Sequence, residues 1–371
     1  MKIVPTLEEL QNLVASYNGT IFLVRGRKSY DACGAKDLLL PAFEGKQVEE
    51  FFDFQTNPQY EDIQKGIDLY KKSESNLVLG IGGGSVMDMA KCVSILSTQE
   101  GQVEDYITGK KMTERSIPLI LIPTTSGTGS EATHFAVAYK DKTKYSVADK
   151  SLLPDFTYLD PSLTYSMNEH QTASTGMDAL AQAIEGLWSV NSTKESRSYS
   201  LEALEKIVPN LIEAVNNPNP KNRKAMLEGS HLAGKSINIA KTTAAHAASY
   251  PFTSHFNIAH GHAVSLTLPS YLLFNSQVTE KTVQDERGVD FVLNRIDDVC
   301  SALGVADAAE AKRYLENLCV SIGLTHKLTS LGIHESDIDS LVKNGFNPQR
   351  VKNNPRKVTE EDLRKILSSL L

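Results

Sequence analysis

Between Thr20 and Ile122, short apolar runs rich in β-branched residues alternate with helix-patterned stretches, and this rhythm constrains the fold most strongly. Thr20 to Arg25, Asn76 to Ile81 and Leu119 to Ile122 read as strands, and a helix is expected from Ser85. Strands spaced by helices pair in parallel through crossover connections, so the first half is expected to be an α/β domain with a parallel, Rossmann-like sheet. From about Met167 the pattern changes to long periodic segments, Gln171 to Trp188, Lys194 to Val215 and Asn222 to Ala248, which predict an all-α second half. Pro154 to Pro161 reads as a last strand and turn. The boundary then falls near Asp160, giving a dinucleotide-binding domain over 1–160 and a helical metal- and substrate-binding domain over 161–371. The tail from Val305 continues as helices and carries no chemical signal.

With 371 residues, 41% of them apolar, the chain can fill about two cores. No apolar run is long enough to span a bilayer, and Met1-Lys2-Ile3-Val4-Pro5 lacks the apolar core of a signal peptide, so no membrane partner and a cytoplasmic location are expected. Cys33, Cys92, Cys300 and Cys319 are scattered, which argues against disulfides and a structural zinc cluster. A net charge of −7 without a basic run excludes nucleic acid as the expected partner and favours small-molecule chemistry.

Two glycine-rich turns follow expected strands. Gly82-Gly83-Gly84-Ser85-Val86-Met87-Asp88 offers a helix N-terminus to a pyrophosphate, although Met87 breaks the G-x-G-x-x-G fingerprint. The alternative is a tight turn in which Ser85 and Asp88 form a capping box. Pro123 to Glu131 adds several hydroxyls suited to phosphate, ribose or amide contacts. Gly229 to Ser236 matches the Walker A pattern letter for letter, but it lies inside a helical stretch and is rejected, because a P-loop follows a strand.

Asp178 and Gln182, four apart, share a helix face and could bind one ion through two oxygens. His246 and His260 are fourteen positions apart, roughly 21 Å on an unbroken helix, so they reach one ion only if the chain turns between them. Pro251 and Gly261 offer the break. Considered singly, each of these residues also reads as an ordinary packed or surface side chain. Lys235 and Lys241, about three and one and a half helical turns before His246, could line the same cavity or be solvated.

These motifs together resemble the iron-dependent alcohol dehydrogenase family, whose relatives include glycerol dehydrogenase and dehydroquinate synthase. The resemblance covers nearly the whole chain: Asn57-Pro58, Gly82 to Ser85 with Asp88, Pro123-Thr124-Thr125 with Gly127 to Glu131, Gly176 to Leu180, and His260-Gly261. It implies a dehydroquinate synthase-like architecture and a homodimer. By this likeness Gly83, Gly84 and Ser85 hold pyrophosphate, Thr124, Thr125 and Thr128 contact the nucleotide, and Lys144 and Leu159 contact ribose and nicotinamide. Asn57 and Asp88 complete the cofactor set. Asp178, His246 and His260 ligate a divalent metal, Fe2+ first, with Zn2+ or Mn2+ as alternatives.

The chain departs from the family pattern at Gln182, which replaces a third histidine, and at Tyr250, where many members carry a histidine. Gly26 replaces an aspartate that holds ribose in NAD-preferring members, and Arg25, Arg27 and Lys28 beside it would attract the 2′-phosphate of NADPH. The wording Gln182 to Ser192, Lys241 to Ala247 and Ser249 to Pro251 is most similar to the phosphonoacetaldehyde reductase branch. The expected function is therefore metal-dependent, NADH- or NADPH-linked reduction of a small anionic aldehyde, with Lys235 and Lys241 holding the anion and Tyr250 or His255 relaying the proton. Reduction of uncharged aldehydes, a dehydroquinate synthase-like lyase and a nucleotide-binding protein without catalysis are the competing readings.

Overall fold

The structure is a computed structural model that describes residues 1–140 and 143–371, except for the side chain of Gln349. The chain divides into two compact units, Met1–Ser166 and Met167–Leu371.

In the first unit a six-stranded parallel sheet runs in the order β1 (Lys2–Val4), β8 (Phe156–Tyr158), β5 (Leu119–Pro123), β4 (Ser75–Gly82), β2 (Thr20–Arg25), β3 (Val48–Phe51). Alternate side chains feed two separate cores: Phe22, Val24 and Val78 pack on one face, Ile21, Leu23, Leu77 and Leu79 on the other. Burial on both faces explains why these strands read as continuous apolar runs. The expected strands at Thr20, Asn76 and Leu119 are present, and the helix Gly84–Leu96 starts one residue before Ser85. The alternation did not reveal an antiparallel pair, β6 (Phe135–Lys140) with β7 (Thr143–Ala148).

The second unit is helical and carries its own core around Trp188, Leu180, Phe252 and Leu268. Helix Glu169–Trp188 starts at Asn168, whose side chain accepts the Gln171 N–H, as an N-cap does. Two expected helices are broken. Lys194 to Val215 divides into Lys194–Ile207 and Leu211–Asn216, and the segment from Asn222 ends at Ala240 before resuming as Ala244–Ala248. Lys241 makes the second break at φ 62° and ψ 164°, a conformation that is normally left to glycine. The Walker-like letters lie within helix Pro220–Ala240. Among the described residues, no helix is long and apolar enough to cross a membrane.

Candidate active site

In the first unit the two glycine-rich turns meet at the carboxyl ends of neighbouring strands. Gly82 of β4 pairs with Pro123 of β5, and Thr124 N donates to Gly82 O at 3.0 Å. A Cβ on Gly84 would stand 2.8 Å from Thr128 Cγ2, so the absence of a side chain permits this approach. Strand order reverses at β2, which has β3 on one side and β4 on the other. The crevice at such a reversal is where open parallel sheets take ligands. Gly83, Gly84, Ser85, Thr124, Thr125 and Thr128 are gathered there. Ser85 Oγ donates to Thr56 O, drawing the loop with exposed Asn57 to the first turn. Lys144 stands in β7 and Leu159 just past β8, both half-buried.

The Ser85–Asp88 capping box does not form, since Gly83 caps the helix without a side-chain bond. Asp88 instead accepts from Ser130 Oγ at 2.7 Å and Val137 N at 3.0 Å, bracing the second turn. Beneath it Lys91 is fully buried, its Nζ donating to Ser130 Oγ, Thr133 Oγ1 and the carbonyls of Thr133 and Phe135 at 2.7–3.1 Å. Burial lowers its pKa to about 8, against the opposing pull of Asp88 and Glu131. Of the three cations beside Gly26, Arg25 is paired with Glu50 and Arg27 with Asp53. The expected attraction for a 2′-phosphate is therefore largely offset, leaving Lys28 exposed.

In the second unit, ligand atoms of Asp178, His246 and His260 all lie within 4.8 Å of one another. Donors sharing one ion at bond lengths near 2.1 Å sit roughly 3–4 Å apart, so this set needs little closing. A carboxylate and two imidazoles suit a divalent transition metal. His246 Nε2 is 3.2 Å from Asp178 Oδ1, and the two imidazole centroids are 5.6 Å apart. Gln182 Nε2 donates to Asp178 Oδ1 at 3.1 Å, so the amide borders the cluster. Gly261 lets the His260 helix seat itself: a Cβ there would fall 1.9 Å from Ser174 O and 2.9 Å from Asp178 N.

Sequence reasoning missed Glu185, which is fully buried behind His246. One of its oxygens meets His246 Nδ1, and the other accepts from Thr243 Oγ1 at 2.8 Å and Ala245 N at 3.0 Å. Burial alone would lower the His246 pKa, but Glu185 and Asp178 outweigh it and raise it to about 9. Burial would likewise raise the Glu185 carboxyl, yet the His246 ring and the Thr243 hydroxyl hold it below its ordinary value. A signal was available, since Glu185 stands seven positions after Asp178 and so returns to the same helix face.

The remaining candidates separate. The Tyr250 ring lies 6.5 Å from the His260 ring and nearly parallel to it, at 16°, whereas His255 is exposed on helix Tyr250–Phe256. Lys235 does not line the cluster as expected. Its Nζ sits 3.9 Å over the Tyr199 ring, because its helix packs against helix Lys194–Ile207. Lys241 is exposed at the break after Ala240.

The chain matches the family described as iron-containing alcohol dehydrogenase over residues 4–161 and the C-terminal domain of the same family over 172–371. It is 34% identical to long-chain-alcohol dehydrogenase 1 of Geobacillus thermodenitrificans, over 87% of this chain and 82% of the relative. It is 31% identical to phosphonoacetaldehyde reductase of Streptomyces viridochromogenes, over 79% of this chain and 75% of the relative. The crystal structure of sulfoacetaldehyde reductase from Bifidobacterium kashiwanohense in complex with NAD+ is 30% identical, with a TM-score of 0.88 over 100% of this chain and 96% of that one.

Proposed function

Because the chain belongs to the iron-containing alcohol dehydrogenase family, we propose that it reduces a small anionic aldehyde, phosphonoacetaldehyde, to 2-hydroxyethylphosphonate with NADH or NADPH. The observation that carries the metal-dependent part is the cluster of buried Asp178 and His246 with half-buried His260. The relatives named for phosphonoacetaldehyde and sulfoacetaldehyde support an anionic substrate.

Asp178, His246 and His260 would hold the metal, and Gln182 would offer its amide oxygen after a half-turn of the amide. When bound, a divalent ion supplies positive charge toward a carbonyl oxygen and a reduced nicotinamide supplies the hydride. The protein's own part is positional. The first-turn N–H groups at Gly84 and Ser85 bind pyrophosphate, and Thr124, Thr125 and Thr128 hold the nucleotide. Glu185 keeps the proton of His246 on Nδ1, which reserves Nε2 for ligation. Burial raises the Tyr250 pKa, so its Oη retains a proton that it can donate toward a developing alkoxide.

The test is to follow NADH and NADPH oxidation with phosphonoacetaldehyde and propionaldehyde. The proposal expects both to be reduced, with kcat/KM at least about tenfold higher for the anion. Equal values would transfer the reading to uncharged aldehydes. No cofactor consumption with either would remove it in favour of lyase or non-catalytic chemistry.

A further inference from the structure

Helix Pro348–Val351, in the tail that carried no chemical signal, brings Arg350 to the segment that bears His246. Its Nη1 donates to Thr242 Oγ1 at 3.2 Å, and its guanidinium carbon lies 5.3 Å from the Tyr250 ring centroid. The same Tyr250 ring stacks beside the His260 imidazole. One aromatic ring thus touches both a guanidinium and a candidate metal ligand.

Beside the Tyr250 ring, the Arg350 guanidinium finds no opposite charge among the described residues. Arg25, Arg115, Arg197 and Arg287 each meet a carboxylate, but among the described residues no carboxylate meets Arg350. A guanidinium has five N–H donors, and Thr242 engages one of the two Nη groups. The position is also held firmly. Asn353 Nδ2 donates to Thr242 O at 3.1 Å, Val190 N donates to Asn353 O at 3.0 Å, and Asn191 Nδ2 donates to Asn353 Oδ1 at 3.1 Å. Exposed Lys241 adjoins Thr242 and adds a second positive charge. A rigidly seated, half-buried fork with unused donors is the group that recognises a tetrahedral or planar anion in two-pronged fashion.

We propose that Arg350 is a specificity-determining residue: its guanidinium binds the anionic end of a short aldehyde whose carbonyl lies toward Tyr250 and His260. This rests on the reductase reading above, and it replaces Lys235 as the anion's partner.

The test uses the full-length, metal-loaded enzyme and two aldehydes, phosphonoacetaldehyde and propionaldehyde, with Arg350→Gln and Arg350→Lys. The expected result for Arg350→Gln is a loss of about tenfold or more in kcat/KM for the anion, through KM, with propionaldehyde changed by less than about threefold. Arg350→Lys should fall between. Inorganic phosphate should compete with propionaldehyde in the wild type and lose that effect in Arg350→Gln, which needs no turnover of the anionic aldehyde. An equal loss for both aldehydes would show that Arg350 merely braces Tyr250 and would overturn the proposal, as would an unchanged KM for the anion. Either of those leaves the reductase reading intact, because propionaldehyde is still reduced by the wild type. If Arg350→Gln does not fold, absence of phosphate competition in the wild type overturns the proposal by itself.

Discussion

Glu185 stands directly behind His246, a fully buried carboxylate bonded to the Nδ1 of an imidazole whose Nε2 faces Asp178. A carboxylate in that position selects the ring tautomer, fixes the ring plane and raises the basicity of the ligating nitrogen. Glu185→Gln keeps the shape and removes the charge. Affinity for Fe2+ or Zn2+, measured by competition with a chromogenic chelator, should fall about 10- to 100-fold. Unchanged affinity would show that Glu185 only fills space.

At Gly261 the helix bearing His260 passes helix Glu169–Trp188 with no room for a side chain. Gly261→Ala places a methyl carbon 1.9 Å from the Ser174 carbonyl oxygen unless the backbone shifts, so the helix bearing His260 must move. Overpacking of this kind costs about 1–3 kcal/mol, so Tm should drop by about 5 °C. Bound metal per chain should drop with it. A variant with wild-type Tm and metal content would mean that the backbone adjusts freely.

Lys91 supplies a pH dependence. Folded, it holds its proton with a pKa of about 8, below the ordinary 10.5. Between these values the unfolded chain binds more protons, so stability rises with pH across that window. The gain is up to about 3 kcal/mol at 1.36 kcal/mol per pH unit. Urea unfolding at pH 7.5 and 9.5 should show wild type gaining relative to Lys91→Met. Parallel changes in the two proteins would contradict the assignment.

Cofactor choice is expected to respond to the Arg27–Asp53 pair beside Gly26. Asp53→Ala releases Arg27, and kcat/KM with NADPH relative to NADH should rise about two- to fivefold, the worth of an exposed charge contact. An unmoved ratio would place the 2′-position of the adenosine ribose elsewhere.

The sheet and its turns were legible because apolar runs buried on both faces cannot be disguised, and Gly82-Gly83-Gly84 marks where the backbone must approach something closely. The Asp178–Gln182 pair was legible from helical spacing. Other features were hidden for identifiable reasons. The break at Lys241 has neither Gly nor Pro to announce it, and it is held by contacts such as Asn353 on Thr242, far away in sequence. Lys235 was misplaced because the Tyr199 ring that it covers belongs to a neighbouring helix that the spacing to His246 does not report. The seven-residue spacing places Glu185 on the face of Asp178, but only tertiary packing shows that it meets His246, and Arg350 has no local signal of its contact with Thr242. The alternative of a Ser85–Asp88 cap could not be settled locally, because the partners of Asp88, Ser130 and Val137, lie more than forty residues on.

Asp178, His246 and His260 are expected to hold one divalent ion. The direct measurement is metal content per chain after loading with Fe2+ or Zn2+ and desalting, for wild type and for His260→Ala. Close to one ion per wild-type chain and close to none in the variant is the expected result; equal retention in both, or none in either, would overturn the assignment of these ligands.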